Sequence, residues 1–215
     1  MLDLLLVKLI NYLDTLPPLA IILFVLYKRR LKGSFILYFL IIQFIFNLSA
    51  NVLNEFNYKN LYLYHFNCLF SFLTLSLFYN QLFYTQKNRL LIFSVAVVFT
   101  FIFFLNIYVW EGVQVFNSNS FGMASFILCG YALYYYLQLF KNPSRENIVT
   151  SRDFWFNTGI FSYYTINFFI FLTYKKLTQD KTPLLTIVWQ VHNVIFLIMC
   201  IYFFIGSLCK ISQEK

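Results

Sequence analysis

The side chains of this chain that can do binding chemistry are few, and they recur at helical spacing. Gln43, Asn47 and Asn51 follow one another at i, i+4 and i+8, which puts three amides on one line of a helix. Tyr64, Asn67, Ser71 and Thr74 form a second such stripe, and Thr158, Ser162 and Thr165 a third. Gln190 and Asn193 share a side of a fourth segment, with His192 beside them. Amides and imidazoles both donate and accept hydrogen bonds. In apolar surroundings such groups must either meet a ligand or bond one another across helices. Asn47, Asn51, His65, Asn67, His192 and Asn193 are therefore the candidate ligand-binding residues, and hydrogen bonding between helices is the competing reading of the same pattern.

Other chemistries find no footing. His65 and His192 are the two histidines, and no acidic or paired cysteine ligand joins them within an apolar segment. Metal sites usually show three or more protein ligands, so no metal and no cofactor is expected. Cys68, Cys129 and Cys200 sit inside apolar runs and Cys209 at the end of one, which is no disulfide or metal-ligand spacing. The chain has no HExxH, no Gly-x-Ser-x-Gly, no phosphate-binding loop and no dinucleotide fingerprint. The six longest apolar segments hold no carboxylate, which argues against a proton relay. The expectation is a non-enzymatic protein.

The elements that must position these residues are set by composition. Hydrophobic residues make up 60% of the 215 and charged residues 11%, against roughly 25% charged in a soluble domain. A surface that poor in charge needs lipid around it. A spanning helix takes about 20 apolar residues. Segments 35–53, 61–84, 90–110, 121–140, 154–174 and 184–209 meet that length and contain no Asp, Glu, Lys or Arg. The first segment is shorter and is interrupted by Pro17 and Pro18, which fit either the first turn of a helix or a kink. It reads as a kinked crossing over about 9–27. The alternative is six spans with 4–13 lying at the interface. The expected fold is all-α: one polytopic bundle of seven transmembrane helices, a single domain over 1–215.

The basic residues set orientation. Lys28, Arg29, Arg30, Lys32, Lys87, Arg89, Lys141, Arg145, Arg152, Lys210 and Lys215 fall on one side, and Lys8, Lys59, Lys175, Lys176 and Lys181 on the other. Positive residues stay cytoplasmic. The C-terminus is thus expected inside and the N-terminus outside, in a bacterial cytoplasmic membrane. Asn47, Asn51, His65 and Asn67 then lie near the outer ends of their spans. The net charge of +8 is spread between apolar runs, so nucleic acid is not an expected partner; the lipid bilayer is. Small residues read as helix contacts: Ser125, Cys129 and Ala132 as one stripe, Gly122 and Gly130 on one face, Gly159 and Gly206 alone.

Three stretches resemble a group of small seven-helix membrane proteins and sensor modules of the Bacteroidota. They are Asn60-Leu61-Tyr62-Leu63-Tyr64-His65-Phe66, Asp153-Phe154-Trp155-Phe156-Asn157-Thr158-Gly159-Ile160 with Tyr163 and Tyr164, and Trp189-Gln190-Val191-His192-Asn193. Similar modules occur fused to, or encoded near, signalling histidine kinases. The resemblance implies a sensor or accessory subunit that binds a small or amphiphilic ligand between helices. Only 210–215 follow the last span, so the output domain is expected on another chain, with the basic 141–153 loop as its docking surface. A small-solute transporter or channel is the alternative function.

Overall fold

A computed structural model describes residues 10, 12–28, 30–31, 33–83, 85–141, 148–179 and 184–209. Most of the 4–13 interfacial alternative, Arg29, Lys32, residues 142–147 of the 141–153 loop and the 210–215 tail lie outside the described residues. Among the described residues there is no strand, and seven α-helices account for most of them. They are α1 (Leu16–Tyr27), α2 (Phe35–Glu55), α3 (Leu61–Leu82), α4 (Gln86–Leu105), α5 (Ser118–Lys141), α6 (Arg152–Gln179) and α7 (Leu184–Leu208). A π-turn, Asn106–Trp110, extends α4.

Local chemistry fixes the boundaries. Ser34 and Thr85 cap α2 and α4, their hydroxyls accepting from the Ile36 and Asn88 amides at 3.3 Å each. The end of α2 is a Schellman turn: Asn57 takes φ +57°, and the Tyr58 and Asn57 amides donate to the Leu53 and Asn54 carbonyls at 2.8 and 3.0 Å. Pro17 and Pro18 occupy the first turn of α1, where missing N–H groups cost nothing. Of the two roles the sequence allows them, the prolines therefore start a helix. A turn over Tyr12–Thr15 precedes it.

Six helices close a ring in the order α1, α2, α3, α5, α6, α7, with α7 packed back on α1; α4 lies outside it against α3. Leu90, Leu91, Phe93, Val97, Val98 and Phe101 of α4 are all exposed, as expected of a face that meets lipid. Five helices are long and apolar enough to cross a membrane: α2, α3, α4 with its π-turn, α5 and α7. The helix α1 is apolar but has only 12 residues. The helix α6 has 28 residues but a more polar sequence.

Close approach of α6 and α7 depends on glycine. A Cβ at Gly206 would stand 2.7 Å from the Phe156 ring and 3.1 Å from the Arg152 carbonyl oxygen, and one at Gly159 would stand 3.0 Å from the Phe203 ring. Gly122 and Gly130 do not repeat this. Nothing lies within 4 Å of a Cβ at either; Gly122 is buried and Gly130 exposed, so neither glycine is required for a close helix contact.

The ends of the bundle differ. Toward the end that carries Arg30, the interior is filled by Phe39, Phe78, Tyr79, Phe156 and Phe203, with ring centroids 5.6 Å apart for Phe156 and Phe203 and 6.0 Å for Phe39 and Phe203. Toward the end that carries Asn57, the interior is polar and hollow.

Candidate functional site

The polar interior begins with α2 and α3, which a short loop makes antiparallel neighbours. The Gln43 amide nitrogen donates to Asn67 Oδ1 at 3.1 Å and to Ser71 Oγ at 2.6 Å, and Ser71 Oγ donates to Asn67 Oδ1 at 3.1 Å. Asn67 Nδ2 returns a bond to Gln43 Oε1 at 3.3 Å. The helical spacing of the two stripes thus becomes a single buried network.

Asn47 and Asn51 reach past this network to the turn before α1. Asn47 Nδ2 donates to the Asp14 carbonyl at 3.0 Å. Asn51 Nδ2 donates to Thr15 Oγ1 at 3.0 Å and to Asp14 Oδ1 at 3.3 Å, and Thr15 Oγ1 donates to the same carboxylate oxygen at 2.8 Å. Asp14 is 4% exposed. This corrects the expectation that no carboxylate joins the polar interior. Sequence places Asp14 ahead of an apolar segment, whereas the turn carries it inside the ring of helices.

On the opposite wall, Asn167 Nδ2 donates to the Tyr163 carbonyl at 2.8 Å, so its Oδ1 faces His192 Nδ1 at 2.5 Å. His192 Nδ1 therefore carries the proton and Nε2 keeps its lone pair. The imidazole stacks on Trp189, centroids 5.0 Å apart.

These groups surround an interior chamber of about 20 Å³, lined by Asp14, Gln43, Asn47, Asn67, Ser71 and His192 and by the rings of Tyr64, Tyr163, Phe171 and Trp189, among others. That is room for roughly one water molecule. Beside it lies an open vestibule of about 360 Å³, lined by Asn51, Asn54, Asn60, Leu185, Thr186 and Tyr174. Tyr64, Phe116 and Trp189 line both spaces. Their centroids are 5.5 Å apart for Tyr64 and Trp189, 5.9 Å for Tyr64 and Phe116, and 6.1 Å for Phe116 and Trp189. Three mutually packed rings thus separate vestibule from chamber.

Phe116 comes from a loop, and the loop is held from both sides. His65 Nε2 donates to the Val115 carbonyl at 2.8 Å. Glu111 accepts from Asn106 Nδ2 at 2.6 Å and from the Asn119 amide at 3.2 Å, which ties the end of the π-turn to the start of α5.

Of the six candidates, Asn47, Asn67 and His192 line the chamber, and Asn51 lines the vestibule while holding the Asp14 carboxylate. His65 is fully buried but serves the loop and stands apart from His192. Asn193 is also fully buried, and its Nδ2 donates to the Ile10 carbonyl at 3.2 Å, supporting the first segment. Asp14, Phe116, Tyr163, Asn167 and Trp189 complete the site without having been among the candidates. Trp189 and His192 lie in one helical turn, a signal that was present in the sequence.

Fold and site together define a helical bundle with five helices suited to crossing a bilayer and a polar interior open toward one end. No known protein family, no curated protein and no solved structure matches the chain.

Proposed function

We propose that the chain is a seven-crossing protein of the bacterial cytoplasmic membrane, with its N-terminus outside and its C-terminus inside, that acts as a ligand-binding sensor or accessory subunit. The observation that carries this reading is the vestibule and chamber divided by Tyr64, Phe116 and Trp189. Ligand sites in proteins are concave and mostly apolar, with a few convergent polar groups, and this arrangement has that character. The positive-inside distribution of Lys and Arg puts the vestibule on the outer face. A ligand that displaces the three rings shifts α3, α7 and the 111–117 loop against their neighbours, which is a recognised form of switching. The signal then passes to a partner chain through the cytoplasmic loops.

The packed aromatic half, from Phe39 to Phe203, favours a receptor over a transport path. The test is a thermal-shift screen of purified protein against a broad library of small molecules, followed by flux measurement in liposomes with whatever binds. A saturable ligand that produces no flux is the expected result. Flux of the bound compound would replace the receptor with a transporter, and a library without a ligand would leave the polar network as helix-to-helix bonding alone.

A further inference from the structure

We propose that the site takes a primary amine, with its ammonium head in the chamber beside Asp14 and its organic body in the vestibule. This rests on the ligand-binding reading above and gives that ligand a chemical class.

The argument starts from charge. Asp14 is buried, and its Oδ1 accepts two hydrogen bonds from neutral donors, Thr15 and Asn51. The ion pair between Arg152 and Asp153 lies at the other end of the bundle, and Asp14 has no cationic partner among the described residues. A carboxylate taken out of water without a counter-ion is costly, and an acid inside a membrane bundle marks an ion or ligand site by default. Burial favours the neutral form of a lone acid, and a cation seated beside it restores the carboxylate. None of the described residues lining chamber or vestibule is Lys or Arg, so among them an anion meets no opposite charge.

Size selects the head group. The chamber of about 20 Å³ accepts a group the size of one water, which describes –NH3⁺ and excludes a trimethylammonium. An ammonium head has three donors. The chamber is lined by residues with acceptors to match: the Asp14 carboxylate, His192 Nε2 and the amide oxygen of Asn47. The walls suit a cation as well, since Tyr64 and Trp189 present aromatic rings. Tyr174, Leu185 and Phe116 in the vestibule suit an apolar or aromatic body.

The experiment is isothermal titration of the full chain in detergent at pH 7 with four probes of similar body: phenethylamine, its N-trimethyl derivative, 2-phenylethanol and phenylacetate. Phenethylamine is expected to bind saturably, and the other three at least tenfold more weakly. Asp14→Asn, checked for folding by gel filtration and circular dichroism, is expected to lose phenethylamine binding. If that variant does not fold, the comparison of head groups on the unaltered protein still decides the matter. Equal binding of the alcohol or the trimethyl derivative overturns the proposal, as does full phenethylamine binding by a folded Asp14→Asn. Absence of phenethylamine binding also overturns it. In that case a ligand found in the broader library keeps the receptor reading alive, so the two failures are distinct.

Discussion

Replacing Asn47 by leucine separates the structural from the binding role of the amides. Asn47 Nδ2 makes one well-placed bond, 3.0 Å to the Asp14 carbonyl, and one contact at the 3.5 Å limit with Gln43 Oε1, while Asn47 Oδ1 accepts from Asn67 Nδ2 at 3.5 Å. An interhelical hydrogen bond in a membrane bundle is worth on average about 0.6 kcal/mol and at most about 1.7. Asn47→Leu also leaves the Asp14 carbonyl unpaired, and an orphaned buried acceptor costs about 1–3 kcal/mol. The expected loss is therefore about 1–3 kcal/mol. At roughly 2–4 °C per kcal/mol for a chain of this length, the midpoint should fall by several degrees. The assay is thermal unfolding in detergent followed with a thiol-reactive fluorophore, because Cys68 and Cys200 are 2% and 1% exposed and become reactive only when the bundle opens. His192→Leu loses the bond to Asn167, while Asn167 keeps its bond to Tyr163. Its midpoint should fall by a similar amount, and ligand binding measured well below that midpoint should be lost. An unchanged midpoint in Asn47→Leu would refute the claim that this amide holds the turn before α1. Full binding in folded His192→Leu would refute its place in the site.

Gly206→Ala places a methyl 2.7 Å from the Phe156 ring and should cost about 1–3 kcal/mol by overpacking, partly restored by Phe156→Leu; the same thiol assay reads both, and an unaltered midpoint contradicts the close packing of α6 on α7. Gly122→Ala meets open space and should raise stability by up to about 1 kcal/mol through helix propensity. His65→Phe removes the bond to Val115, so amide hydrogen exchange in the 111–117 loop should accelerate by about fivefold, one net hydrogen bond being worth about 1 kcal/mol; unchanged exchange would deny His65 its hold on Phe116. In a cysteine-free background, cysteines at 30 and 210 should resist an impermeant thiol reagent in intact cells and one at 57 should react; the reverse pattern inverts the orientation.

Helical periodicity made much of this site legible before any coordinates. Gln43, Asn47 and Asn51 lie on one line of α2 because 3.6 residues make a turn, and the short loop after α2 placed the Asn67 and Ser71 stripe opposite. On α6 the periodic reading found a face that bonds α5, and the face turned toward the site is a different one. Thr158 and Ser162 bond carbonyls of their own helix, to Phe154 and Thr158 at 2.8 Å each, while Thr158 Oγ1 also accepts from Tyr136 of α5 at 2.9 Å and Thr165 meets Cys129 of α5 at 3.3 Å. The side chains that α6 turns fully inward are Asn157 and Asn167, with Tyr163 and Tyr164 nearly so. An amide has more hydrogen-bonding groups than its own turn can satisfy. Asp14 and Phe116 were illegible for a different reason: each is carried in by a turn or loop, where no periodicity reports which way a side chain faces.

The proposed seven crossings depend on α1 and α6, which fall short of the ordinary membrane helix for opposite reasons. The helix α6 is long enough, and its polarity is internal: Tyr79 donates to Asn157 Oδ1 at 2.8 Å and Asn157 donates to the Ala132 carbonyl at 3.3 Å, so three helices consume the polar groups that lower its hydropathy. The helix α1 is too short. Its 12 residues cover about 18 Å at 1.5 Å per residue, against a hydrocarbon core of about 30 Å. Tyr12–Thr15, just before it, form a turn, and backbone of that kind is tolerated at membrane depth only where protein groups satisfy it. Asn47 and Asn193 do this, donating to the Asp14 and Ile10 carbonyls. The interruption that makes α1 short is thus what requires amides at those positions, and it is also what turns the Asp14 carboxylate into the chamber. Structural and binding roles meet in one turn: Pro18 has no N–H to offer the Asp14 carbonyl, and Asn47 supplies that donor instead.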